Sequence, residues 1–284
     1  MGFMTAIKAN KALRLQKSGN KEEAQKLYEE AFAEGLNDPR FLMPYALMII
    51  RDGQYQKAKE FLVKHQKAPG MTPNQRTELL VYYAVCCLRL GNVDKGINTL
   101  EQQFRKGENG LIYQTLGYMY VEKYDQANTP DFTAPAEEPA EAPPEAPAAA
   151  GDGEGTEGAG EAAAEDTLSP EETWNAGITK AEEFIRASLE YDDEDSVCLD
   201  NMGQFLYRVR GDKAAAKEWF EKALAIKNNQ IDTLYFLSRY DLEDGNRQAA
   251  LEKLETAIGG RFSPLNYVDK DTVQQEIDKL KGAL

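Results

Sequence analysis

The chain has 284 residues, a formal net charge of −15, three cysteines and one histidine. That length suits one large domain or two ordinary ones, and three cysteines build no disulfide framework. The acidic balance speaks against nucleic-acid binding, which depends on clustered basic contacts to phosphate.

The charge is uneven. Between Asp125 and Glu172 fourteen residues are acidic and none is basic, so the remainder is nearly neutral. The first residues carry Lys8 and Lys11 where a secretory leader needs an apolar core, and Ala6 stands where myristoylation requires Ser or Thr. The longest apolar run, Phe41 to Ile50, is about half of the roughly 20 residues a membrane helix needs. A cytoplasmic protein without a membrane partner is expected, with Cys86, Cys87 and Cys198 as reduced thiols.

From the N-terminus onward the apolar spacing is helical, as in Ala24, Leu27, Tyr28 and Ala31. These follow Gly19-Asn20, and the pair returns as Gly91-Asn92, Gly211-Asp212 and Gly245-Asn246, with Gly53-Gln54 a weaker copy. The steps from 19 to 53 and from 211 to 245 are both 34 residues. Glycine supplies the left-handed conformation that ends one helix. Asn or Asp then offers a side-chain oxygen to the free amides of the next. Each pair therefore predicts a tight turn inside a helical hairpin, and strand signals are absent.

The hairpins carry small residues at matching places. The first has Ala12, Ala24 and Ala31 around Tyr28, and the second Ala46, Ala58 and Leu62, with His65 in the last small position. The third has Ala84, Gly96 and Leu100. The fifth has Gly203, Ala216, Phe220 and Ala223, with one extra residue before its turn, and the sixth Ser238, Ala250, Leu254 and Ala257. On these residues the chain resembles the tetratricopeptide repeat family. The resemblance implies an all-α fold, a right-handed α-solenoid of stacked antiparallel helix pairs, in about six repeats.

The fourth repeat is interrupted. Leu116, Gly117 and Tyr120 fit a first helix, and Ala181, Ile185 and Ser188 fit a second, but the acidic segment lies between them. Ser169-Pro170-Glu171-Glu172 is a strong helix start, with a Ser cap, Pro at the first helical position and Glu three residues after the cap. The organisation expected is repeats 1–3 and the first helix of repeat 4 over 1–125, a disordered Pro/Ala/Gly/Glu-rich insert over 126–168, and the remaining repeats with a capping helix over 169–284. The alternative is a linker between two independent bundles. Val273, Ile277 and Leu280 give the last helix one apolar stripe, and a polar terminal face suits the end of a repeat stack.

The family resemblance also implies that the first helix of each repeat lines a concave groove. Carried onto this chain, the groove positions give Arg40, Met43, Leu47, Ile50, Arg51, Val81, Tyr82, Val85, Arg89 and Tyr118. The N-terminal half is then apolar with arginines at its edge, suited to a protein or peptide ligand with hydrophobic anchors and an acidic group. The carboxylate clamp of co-chaperone members is missing: Ala9 and Leu13 stand where Lys and Asn are needed. No cofactor, metal site or catalytic residue is read from the sequence. His65 is alone, and Asp192, Asp193, Glu194 and Asp195 lack the alternation and glycine of a calcium loop. The expected function is a scaffold or adaptor, not an enzyme; the alternative is a module whose acidic insert competes for its own groove.

Overall fold

A computed structural model describes residues 3–133 and 168–282; their regular structure is all helical, with no strand among them. The first hairpin pairs α1 (Phe3–Lys17) with α2 (Lys21–Ala33), the second α3 (Pro39–Arg51) with α4 (Tyr55–His65), and the third α5 (Pro73–Arg89) with α6 (Val93–Phe104). Then come α7 (Gly110–Tyr124), α8 (Pro170–Tyr191), α9 (Ser196–Gln204), α10 (Lys213–Ile226), α11 (Ile231–Glu243), α12 (Arg247–Ile258) and α13 (Lys270–Lys281). Consecutive helices pack as pairs, and α1, α3, α5, α7 and α9 also stack on one another in order. This is a right-handed α-solenoid with one continuous inner row of helices.

The turns follow from local chemistry. Gly19 sits at φ +86°, and the chain closes there with Gly19 N bonded to Gln16 O and Asn20 N to Leu15 O. That double bond pattern satisfies the carbonyls left open at the helix end. Gly53, Gly91, Gly211 and Gly245 repeat the positive φ. The expected caps divide: Asn20 and Asp212 accept from the backbone amides of Glu23 and Ala215, whereas Asn92 and Asn246 make no capping bond. At Ser169 the capping box is complete in both directions.

Small residues mark where helices cross closely. A methyl group at Gly203 would lie 2.7 Å from the Phe220 ring, and one at Gly96 would meet the Ala84 backbone at 3.0 Å. The extra residue of the fifth repeat is absorbed as a π-helical turn, Phe205–Val209, that continues α9. Such a turn keeps the helix axis while rotating the side chains that follow it.

α7 and α8 pack antiparallel: Tyr124 at the end of α7 meets Trp174 at the start of α8 at 4.9 Å, while Tyr113 meets Phe184 and Tyr191. The acidic segment expected to be disordered lies, from 134 to 167, outside the described residues. Its opening residues, 126–133, are described. Gln126–Asn128 form a turn of 3₁₀ helix capped by Asp125, Asn128 Nδ2 donates to Glu122 O, and Phe132 faces Trp174. The chain is thus held beyond residue 125, where disorder was expected to begin.

His65 is buried against Phe61 and Phe32, with Nδ1 3.2 Å from Asn37 Oδ1, and burial lowers its pKa. All three cysteines are buried free thiols. Burial pushes Cys86 and Cys198 up to about 12, which leaves them almost without thiolate at neutral pH.

Candidate functional site: the concave groove

The groove is partly open and partly covered. At its N-terminal end Leu13 of α1, Met43, Pro44 and Leu47 of α3 and Tyr82 of α5 line a cavity of about 430 Å³, with Gln16, Lys17, Glu78 and Arg261 at its margin. Leu47 and Tyr82 are half-buried, and Tyr82 donates to Glu78. Farther along, the segment joining α12 to α13 lies across the inner helices. Arg89 of α5 holds it through two backbone carbonyls, Nε to Pro264 O at 2.6 Å and a terminal nitrogen to Asn266 O at 2.9 Å.

Asp232 of α11 holds the same segment through its amides. It accepts from Tyr267 N at 3.0 Å, Val268 N at 3.4 Å and the Asn266 side chain at 3.1 Å. The Tyr267 ring stacks on Phe236 at 5.1 Å, and the Arg208 guanidinium sits 4.1 Å from the centre of that tyrosine ring. Arg208 belongs to the π-helical turn and is itself fixed by Glu122 of α7 and Asp125 just after it, both at 2.7 Å, and by Gln204 Oε1 at 2.9 Å.

Beneath this lie two buried carboxyls. Asp200 accepts from Thr233 Oγ1 and Gln204 Nε2, and Asp232 stands nearby. Burial pushes both above the usual carboxylate range, and at Asp232 the Asp200 charge adds to the effect. A carboxyl moved toward neutrality in this way changes its charge within the ordinary pH range.

The ten residues singled out by position fall into distinct groups. Leu47, Tyr82 and Met43 line the open cavity. Arg51 and Arg89 line a second cavity of about 620 Å³, whose other wall is the covering segment. Ile50, Val81 and Val85 are 2–4 % exposed and pack between helices, so they present almost no surface. Tyr118, also buried, lines a third cavity of about 400 Å³ under the segment. Arg40 is turned to its own helix start, where it pairs with Asp38 at 2.6 Å.

Asp232, Arg208 and residues 262–268 were not foreseen. The extra residue in repeat 5 signals the turn that carries Arg208. Phe262, Leu265, Tyr267 and Val268 make the last connection too apolar for a simple loop. Among the described residues no group of three or more His, Cys, Asp or Glu side chains is placed to hold a metal ion, and no helix is long and apolar enough to cross a membrane.

With this geometry in place, the comparisons agree on a class: the fold is that of tetratricopeptide repeat proteins, and the chain resembles that family. The family model for anaphase-promoting complex, cyclosome, subunit 3 matches residues 17–103. A thermophilic tetratricopeptide repeat protein of Thermus thermophilus is 13 % identical with a TM-score of 0.58, covering 86 % of this chain and 99 % of that one. PilW, a type IV pilus biogenesis factor, is 12 % identical with a TM-score of 0.56, covering 99 % and 100 %. Cut9 with Hcn1, an anaphase-promoting complex hetero-tetramer, is 13 % identical with a TM-score of 0.54, covering 96 % of this chain and 42 % of that one. No curated protein sequence matches the chain. At these identities the likeness is one of fold.

Proposed function

We propose that the protein is a cytoplasmic interaction scaffold, not an enzyme, that receives a partner's peptide or helix in the N-terminal half of its concave groove. The observation that carries this is the open apolar shelf of Leu13, Pro44, Leu47 and Tyr82. An open recess lined by apolar side chains gains free energy when a partner's apolar side chain fills it, at roughly 25 cal/mol per Å² removed from water. Lys17 and Arg261 at the margin, beside Glu78, and Arg51 in the adjoining cavity supply a net positive charge. Arg51 and Arg261 face each other closely enough that, after burial, the Arg261 charge lowers the pKa of Arg51. An acidic group on the partner relieves that repulsion, which favours an apolar anchor followed by a carboxylate.

Affinity capture from the native cell with the full chain and with Leu47→Asp tests this. The variant loses the partner while keeping its helical circular dichroism. An unchanged set of captured proteins sinks the groove assignment. A second reading, in which the acidic segment 134–167 covers the same cationic rim, is favoured by charge complementarity. Deleting that segment raises partner affinity under the second reading and leaves it unchanged under the first.

A further inference from the structure

The segment covering the groove is part of the chain itself, and although it is folded into a turn at Pro264-Leu265 it is gripped through its backbone, as a bound peptide is. Arg89 takes two of its carbonyls and Asp232 two of its amides, contacts that read backbone and not sequence. Two side chains are then seated. Leu265 packs against the core that runs from the first repeat into the fifth, and Tyr267, 40 % exposed, rests with its ring against Phe236 and Arg208. Alternation of backbone bonds with seated side chains is the general pattern of peptide recognition on a preformed surface.

The fit is incomplete. Cavities of about 620 and 400 Å³ remain along the segment. Within the second, Tyr118 Oη and Gln230 Oε1 are buried with no hydrogen-bond partner. Neither atom bonds to the covering segment, so the groove offers a hydroxyl and an amide oxygen that its present occupant does not use. Inside the segment Asn266 N donates to Ser263 O, Ser263 N to Asn266 Oδ1 and Leu265 N to Ser263 Oγ, which closes a local turn. The contacts that fix it across the groove are long-range.

We propose that residues 262–268 are a built-in occupant of the groove, and that a partner peptide of the same chemistry and the same turn binds by displacing them. That chemistry is proline followed by an aliphatic, a polar and an aromatic residue, as in Pro264-Leu265-Asn266-Tyr267. The inference rests on the reading of the concave groove as the partner site, but it concerns the covered half, not the open shelf. A tethered occupant competes at an effective concentration in the millimolar range. The intact chain is therefore held in a weakly binding state until a longer or better-bonded peptide arrives.

The test uses a fluorescent peptide spanning Arg261 to Asp269 and the full chain with residues 262–267 replaced by Gly and Ser in equal number. Anisotropy shows saturable binding to the replaced chain, at least about tenfold tighter than to the unaltered chain. Arg89→Ala together with Asp232→Ala in the replaced chain removes it. The proposal is overturned if the replaced chain keeps its helical content yet binds the peptide no better than a scrambled one, or if the unaltered chain binds equally well. Hydrogen exchange on the unaltered chain decides the matter independently of that variant. The amides of Leu265, Tyr267 and Val268 exchange at least about tenfold faster than the central amides of α12 and α13. Equal rates mean the segment leaves only on global unfolding, and no displacement is available. Failure here leaves the Leu47→Asp capture result standing on its own.

Discussion

Replacing Arg208 with methionine removes the charge on which the middle of the solenoid converges. The guanidinium side chain is 6 % exposed, and its partners Glu122 and Asp125 are 21 % and 15 % exposed. Burial works against its charge, and the neighbouring acidic groups outweigh that, so its pKa is raised. At an effective dielectric near 20, each carboxylate at about 4 Å between charge centres attracts it by ~4 kcal/mol before desolvation. Breaking such a pair from one side leaves two carboxylates uncompensated, which costs about 3–5 kcal/mol. The Tyr267 ring loses its cation as well, worth ~1 kcal/mol. Urea unfolding followed by circular dichroism reads the change as a lower midpoint, with the slope of the transition retained. Adding Glu122→Gln and Asp125→Asn to Arg208→Met recovers a large part of the loss, because the orphaned charges go with their partner. A single variant within about 1 kcal/mol of the parent, or no recovery in the triple variant, refutes the electrostatic account of this junction.

The buried pair Asp200 and Asp232 sets a pH dependence. Their folded pKa values lie above the unfolded value of 3.8, so the folded state holds more protons, and stability falls as pH rises from about 4 toward about 7. Asp200→Asn removes its own share of that slope and the Asp200 charge acting on Asp232, so the slope is reduced and the variant's urea midpoint gains on the parent's across this range; a constant difference between the two refutes the assignment. At Gly203 an added methyl meets the rigid Phe220 ring at 2.7 Å, and Gly203→Ala lowers stability by about 1–3 kcal/mol, seen as a drop in Tm; an unchanged melt contradicts the close crossing. Val85→Asp places a carboxylate where the side chain is 4 % exposed and costs several kcal/mol or prevents folding, on the order of a buried unpaired charge. Leu47→Asp, at a half-buried position, leaves the melt within about 1 kcal/mol. Equal thermal shifts in the two contradict the division between packing and open groove residues.

The repeat was legible because its signals are local. A glycine at positive φ, a capping side chain and an apolar stripe each act within a few residues, and each recurs in the chain. The packing of α7 on α8 is less local, yet Ser169 to Glu172 announces the second helix and Tyr120, Tyr124 and Trp174 supply the surface. The groove was only half legible. Position in a repeat gives the side of the helix on which Ile50, Val81 and Val85 stand, and the distance between neighbouring helices decides whether that side is open.

By itself, then, the sequence determined an all-helical repeat and the helices that line its inner face, since periodicity and caps are properties of short stretches. Only the tertiary structure decided what the inner face meets. Arg89 and Pro264 are 175 residues apart in the chain, and their contact depends on the summed rotation of every repeat between them. One extra residue in the fifth repeat, taken up as a π-helical turn, aims Arg208 at Tyr267. No local pattern encodes a contact that arises only when the stack is complete.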